Sequence, residues 1–225
     1  MLLRIRVRLP DRPGSLGKVA RLLGAAGADV VQMAVLERDN GRALDDFTVV
    51  WPAGADTGRL RDGLASVPGV ETVGIWTTAE PHGAFPDAAL IGQLAADPGR
   101  GAVTLADAVP ALLSADWAGL ARTGPERAAL VHASVGGLAD AELADLEPVR
   151  PRAFTAGDGT EYAICPVQDL VLVVARRDAP PFHRSEVFRL AQLVGAAEAV
   201  LGVRALGGSS GSGGPPPGGD LVRSS

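Results

Sequence analysis

The sequence predicts an α+β chain of two units. One is a βαββαβ unit over residues 1–78, and the other is an antiparallel sheet with flanking helices over residues 87–206. Three observations carry this reading. Apolar periodicity switches between two and 3.6 residues in the order strand, helix, strand, strand, helix, strand before residue 78. A polar, proline-containing joint follows at 79–86. Short strands separated by turn residues then lead into one long apolar helix.

The first strand alternates Leu3, Ile5, Val7 and Leu9 with Arg4, Arg6 and Arg8, the pattern of one dry and one wet face. Asp11, Arg12, Pro13 and Gly14 break it as turn residues. Leu16, Val19, Leu22 and Leu23 then fall at helical spacing, closed by Gly24 and Gly27. A second strand over 31–37 and a third over 44–51 flank the hairpin signal Asp39-Asn40-Gly41. Thr57 caps a second helix reaching Ser66, and Pro68-Gly69 turns the chain into a last strand over 70–77. Such a unit is a four-stranded antiparallel sheet with both helices on one face. The other face carries the arginines, which a facing partner or the second unit must offset.

In the second unit, helices are expected over 88–96 and 105–113 and a hairpin over 117–134. Further strands are expected near Phe154 and over 162–166 and 170–176, and a helix over 185–202. Residues 207–219 contain only glycine, serine and proline and form, with the rest of 207–225, a disordered tail.

Composition narrows the function. Net charge is −5, and residues 1–78 hold ten Lys/Arg against nine Asp/Glu. No basic field exists to meet a phosphate backbone, so nucleic acid is not the expected partner. No apolar run reaches the roughly 20 residues of a membrane helix. With no signal peptide pattern, the expected location is cytoplasmic. Cys165 is the single cysteine and sits in an apolar strand, so an inert buried thiol is expected rather than a triad with His132 and Asp169. Three dispersed histidines suggest no metal site, and no cofactor is implied. Gly207-Gly208-Ser209-Ser210-Gly211 matches a nucleophile elbow by letters but lacks a strand before it and a helix after it. Asp45–Asp46 reads as a solvated rim. No catalytic constellation is present, and the chain is expected not to be an enzyme.

The loop at 11–16 is where a ligand would sit. Gly14 permits close approach, and the helix N-terminus behind it favours an anion of about carboxylate size. The plainer alternative is a turn with Ser15 as the cap.

The run Asp11-Arg12-Pro13-Gly14-x-Leu16, followed by Val19, Leu22, Leu23, Gly27 and Val30, resembles the opening of an ACT domain. That is a ferredoxin-like regulatory module that often binds amino acids. The resemblance implies an amino-acid ligand held by Asp11, Arg12, Pro13, Gly14, Ser15, Leu16, Asp29 and Val30. The amides of Gly14, Ser15 and Leu16 would meet its carboxylate, and Asp11 or Asp29 its ammonium. It also implies a homodimer, since ligands in that family often lie between two copies. The alternative function is a ligand-free dimerisation scaffold. Phe182, Glu186, Leu190, Leu193, Ala196 and Ala197, with the strands before them, resemble the end of a shortened GAF domain. That likeness implies a small-molecule or dimerisation role for the second unit.

Overall fold

The computed structural model describes residues 1–78, 85–124, 128–137, 143 and 146–207. Most of the expected joint, and the tail beyond Gly207 with its elbow-like letters, lie outside the described residues.

The N-terminal unit runs β1 (Leu2–Pro10), α1 (Ser15–Ala25), β2 (Asp29–Asp39), β3 (Arg42–Val50), α2 (Thr57–Ser66) and β4 (Glu71–Thr77). The strands form one antiparallel sheet in the order β2-β3-β1-β4, which is the ferredoxin-like arrangement. Leu3, Ile5, Val7 and Leu9 pack with Phe47 and Val49 beneath Val19 and Leu23 of α1 and Leu60 and Leu64 of α2. The β2–β3 turn has Asn40 at φ 47° and Gly41 at φ 71°, the two left-handed residues that a tight hairpin requires. Asp56, not Thr57, caps α2, accepting from the Gly58 amide at 2.8 Å.

The second unit contains α3 (Pro86–Ala96), α4 (Gly101–Leu113), β5 (Trp117–Arg122), β6 (Ala129–Ala133), β7 (Arg152–Thr155), β8 (Glu161–Val167), β9 (Leu170–Arg176) and α5 (Arg184–Gly207). Its antiparallel sheet has the order β6-β5-β9-β8-β7. The three helices cover one face through Leu94, Leu105, Val109, Leu190 and Val194, against Ala118, Leu120, Leu172 and Val174. On the opposite face Trp117, Tyr162, Ile164 and Val173 pack with Leu146. Both faces are dry, so β8 and β9 read as continuous apolar runs rather than alternating ones.

The two units are docked, and of the two covers expected for the arginine face, a facing partner or the second unit, it is the second unit that lies over it. Arg6 is 1% exposed. Its guanidinium donates to both Asp46 oxygens at 2.7 and 2.9 Å, and to Glu186 Oε2 of α5 at 2.9 Å. Arg176 of β9 meets the same Glu186 through two bonds at 3.0 and 3.2 Å. Arg4 donates to Asp46 at 2.9 Å and to the Ser114 hydroxyl at the end of α4. The Trp76 ring lies 5.4 Å from the Arg6 guanidinium and 5.6 Å from that of Arg176. At the margin, Glu37 of β2 bonds His183 at 2.9 Å and pairs with Arg184. His183 is thus an inter-unit contact. Gly74 of β4 lies against the Pro180 ring, where a Cβ would come within 2.3 Å of Pro180 Cγ.

Asp45–Asp46 is no solvated rim: the two residues are 1% and 2% exposed. Strand alternation sends them to opposite faces. Asp46 pairs opposite Arg6 on the docked face, and Asp45 pairs opposite Val7 on the helix-covered face.

Candidate functional site

A cavity of about 370 Å³ lies beneath the β1–α1 loop. Asp11, Arg12, Pro13, Gly14, Ser15 and Leu16 form its rim, and Leu9, Val35, Arg38, Ala43 and Asp45 line its remaining walls. The volume falls in the usual range for small-ligand sites.

The loop is held by backbone bonds. The Asp11 amide donates to the Gly41 carbonyl at 2.9 Å, tying the loop to the β2–β3 turn. The Arg12 amide donates to the Pro10 carbonyl at 2.9 Å. Gly14 stands at the N-cap of α1 with φ 85°, a left-handed conformation that a side chain adopts only under strain. A Cβ there would meet nothing within 4 Å, so conformation rather than space calls for glycine. No side chain caps α1. Ser15 is not the cap: its residue is buried, and its amide donates to the Arg12 carbonyl at 3.2 Å. The first-turn amides of Leu16 and Gly17 remain as donors for an anion.

Asp29 and Val30, proposed above as ligand contacts, do not line this cavity. They sit at the opposite end of β2, against Val50 and Val49 of β3. Asp29 and Arg38 are nine residues apart on one strand, roughly 30 Å. One copy of the chain therefore cannot bring Asp29 and the 11–16 loop to the same small ligand.

Besides Asp11 on the rim, a second carboxylate lines the cavity: Asp45, which the solvated-rim reading passed over. Both of its oxygens are buried and neither has a hydrogen-bond partner. Burial pushes its carboxyl up to about 6; Arg38 acts in the opposite sense, while Asp11 and Asp46 add to the rise. Arg38 is a weak counterion here, since its guanidinium is largely exposed and lies 3.7 Å from Asp11 instead.

Other candidate chemistry is committed elsewhere. Cys165 is buried, and burial, with Glu198 adding, pushes its thiol up to about 11. His132 bonds Asp107 at 2.8 Å, and Asp169 lies 3.4 Å from Arg122, so the imagined triad does not form. Among the described residues, no group of three or more His, Cys, Asp or Glu side chains is placed to hold a metal ion. Among the same residues, no helix is long and apolar enough to cross a membrane.

The N-terminal unit is thus a ferredoxin-like sheet with an uncapped helix over a ligand-sized cavity. Residues 3–51 match the family model of the ACT domain. ACT domains are regulatory, ligand-binding modules. No curated protein matches the sequence significantly. Among solved structures, the chain is similar to a formyltetrahydrofolate deformylase from Pseudomonas putida KT2440, at 20% identity and a TM-score of 0.31. That match covers 36% of this chain, and the chain spans only 30% of the deformylase's length. It is also similar to the ligand-free regulatory subunit of aspartate kinase from Thermus thermophilus, at 15% identity and a TM-score of 0.28. There the match covers 90% of this chain and 96% of that one.

Proposed function

We propose that the chain is a non-catalytic, cytoplasmic regulatory protein that binds an amino acid or a similar small metabolite through its ACT domain. The observation that carries this reading is the cavity itself, whose rim holds the uncapped first turn of α1 beside the left-handed Gly14. A carboxylate fits such a turn because free amides and the helix dipole both favour an anion. The domain limits at residues 78 and 87 and the GAF-like character of the second unit belong to the same proposal. Within it, the second unit receives the signal through the docked face. A thermal-shift screen of the common amino acids, followed by calorimetry on any that raise the melting temperature, tests the reading, since a ligand of the folded state stabilises it by mass action.

Gly14→Val is expected to abolish binding of the ligand so identified. Valine at φ 85° is strained, so the loop must reshape and the cavity rim moves. The same substitution should lower stability by roughly 1–3 kcal/mol. Unchanged affinity in a calorimetric titration would place the site elsewhere.

A homodimer is part of the proposal. The arginine face is covered within one chain, so it is not the dimer surface. The edge strand β2 is the better one: Val30, Val31, Met33 and Val35 are all exposed along it. Open edges of this kind are usually paired or covered. A second copy would also offer its own Asp29 and Val30. The alternative reading, a ligand-free scaffold, keeps this dimer and dispenses with the ligand. Light scattering on the full chain at micromolar concentration should give twice the monomer mass, and Met33→Asp should halve it. A monomeric wild type removes the dimer from both readings.

A further inference from the structure

Asp45 occupies a position where a carboxylate is hard to account for by folding alone. Along β3, Ala43, Phe47 and Val49 occupy the same face and are part of the apolar core, and Asp45 stands between them. Its register partners across the sheet are Val7 on one side and Val35 on the other. Val or Ala would bury more favourably there. Buried carboxylates are as a rule paired or hydrogen-bonded, because water is otherwise the only group that satisfies them. Asp46, one residue along and equally buried, follows that rule: its two oxygens accept three hydrogen bonds, one from Arg4 and two from Arg6. Asp45 does not follow it, and it lines the cavity.

We propose that Asp45 selects for a cationic group in this cavity, so that a ligand is held there by an ammonium set against the Asp45 carboxylate. The inference rests on the reading of the cavity as the ligand site. It gives the cavity two unlike ends: amides of the α1 first turn for an anion, and Asp45 for a cation. Leu9, Val35 and Ala43 between them suit a short aliphatic body. The ligand class is then a small zwitterion or primary amine, and an amine-free carboxylic acid of the same shape is rejected. A buried polar group left unpaired by the wrong ligand is the strongest discriminator that a small site has.

The selection is pH-dependent. The charged groups that face Asp45 are Arg38 on β2, Asp11 in the loop and Asp46 on the same strand. Arg38 is engaged with Asp11, and Asp46 with Arg4 and Arg6, so none of them pairs Asp45. With its carboxyl at about 6, Asp45 is anionic at neutral pH and loses its charge in mild acid. The ammonium then loses its partner.

The test is calorimetry on the full-length protein and on Asp45→Asn. The probes are L-alanine, L-valine and L-leucine, their amine-free counterparts propionate, isovalerate and 4-methylpentanoate, and the simple amine propylamine. Wild type is expected to bind at least one amino acid well above its amine-free counterpart at pH 8. Asp45→Asn should weaken that amino acid roughly 10- to 100-fold, leave the amine-free acid unchanged and so erase the preference. Wild type at pH 5 should lose most of the preference as well. Unchanged amino-acid affinity in Asp45→Asn overturns the role given to Asp45 while leaving the cavity as the site. An equal loss for both ligand types overturns it too, since that is damage to the cavity rather than selection. Binding of propylamine but of no amino acid supports Asp45 and defeats the amino-acid reading. If wild type binds none of the probes, both fall.

Discussion

Glu186→Ala is expected to destabilise the protein by roughly 3–5 kcal/mol, the cost of breaking a buried ion network from one side. Glu186 is 4% exposed and sits in the first turn of α5. Its two oxygens accept from Arg6 of the N-terminal sheet, from Arg176 of the second sheet and from the His183 amide at 2.8 Å. Removing the carboxylate leaves two buried guanidiniums facing each other across the docking surface, with Asp46 the nearest remaining anion for Arg6. The loss is therefore not that of one pair. Urea unfolding should show a large fall in midpoint, and Glu186→Gln should fall between, because an amide keeps the shape and part of the hydrogen bonding. A loss under 1 kcal/mol for Glu186→Ala would mean that water or side-chain rearrangement satisfies both arginines.

The same network has a pH signature. Burial alone would raise the Glu186 carboxyl; the Arg176 and Arg6 guanidiniums overcome it and hold it at about 2. A carboxyl depressed in the folded state contributes stability that is present above its unfolded value and lost as pH falls toward the folded one. For Glu186 that window runs from 4.5 down to about 2. The contact between the units should therefore weaken in acid.

The elements of both units were legible because their periodicities are strong. The β1 alternation, the helical spacing of Leu16, Val19 and Leu23, and the Asn40-Gly41 turn each lead to the observed element. Less legible was which of the two expected covers, a facing partner or the second unit, lies over the arginine face. Alternating arginines read the same whether water or an acidic partner lies opposite, and Glu186 stands 180 residues from Arg6. Nothing local ties the two together. Asp45 is a different case, since its signal was present. Extending the apolar alternation of Val49 and Phe47 back by two residues puts Asp45 on the core face. Reading Asp45 and Asp46 as a unit concealed that neighbours on a strand point in opposite directions. For Asp29 the length of β2 decides: it sets the residue at the end of the strand away from the 11–16 loop of its own copy.

Asp45→Asn is expected to stabilise the ligand-free protein at pH 8 and to leave it nearly unchanged at pH 4. The sign follows from the direction of the shift. An acid raised in the folded state carries a penalty that is fully present above its folded value and absent below its unfolded one. For Asp45 the penalty therefore grows as pH rises from 3.8 to about 6. A rise of that size corresponds to roughly 3 kcal/mol at most, and relaxation of the loop should reduce it. Asparagine has nearly the same shape and never ionises, so the difference between the two proteins reports the charge alone. Thermal or urea unfolding of both across pH 4–8 measures it. A difference that is flat with pH, or an Asn variant less stable at pH 8, would mean that the carboxylate already has a partner in the free protein. A substitution that stabilises the fold while weakening a ligand is the mark of a residue kept for binding. Asp45 is expected to meet both conditions. Glu186, buried to a similar degree but fully paired, is expected to fail the first, because its charge is already answered within the chain.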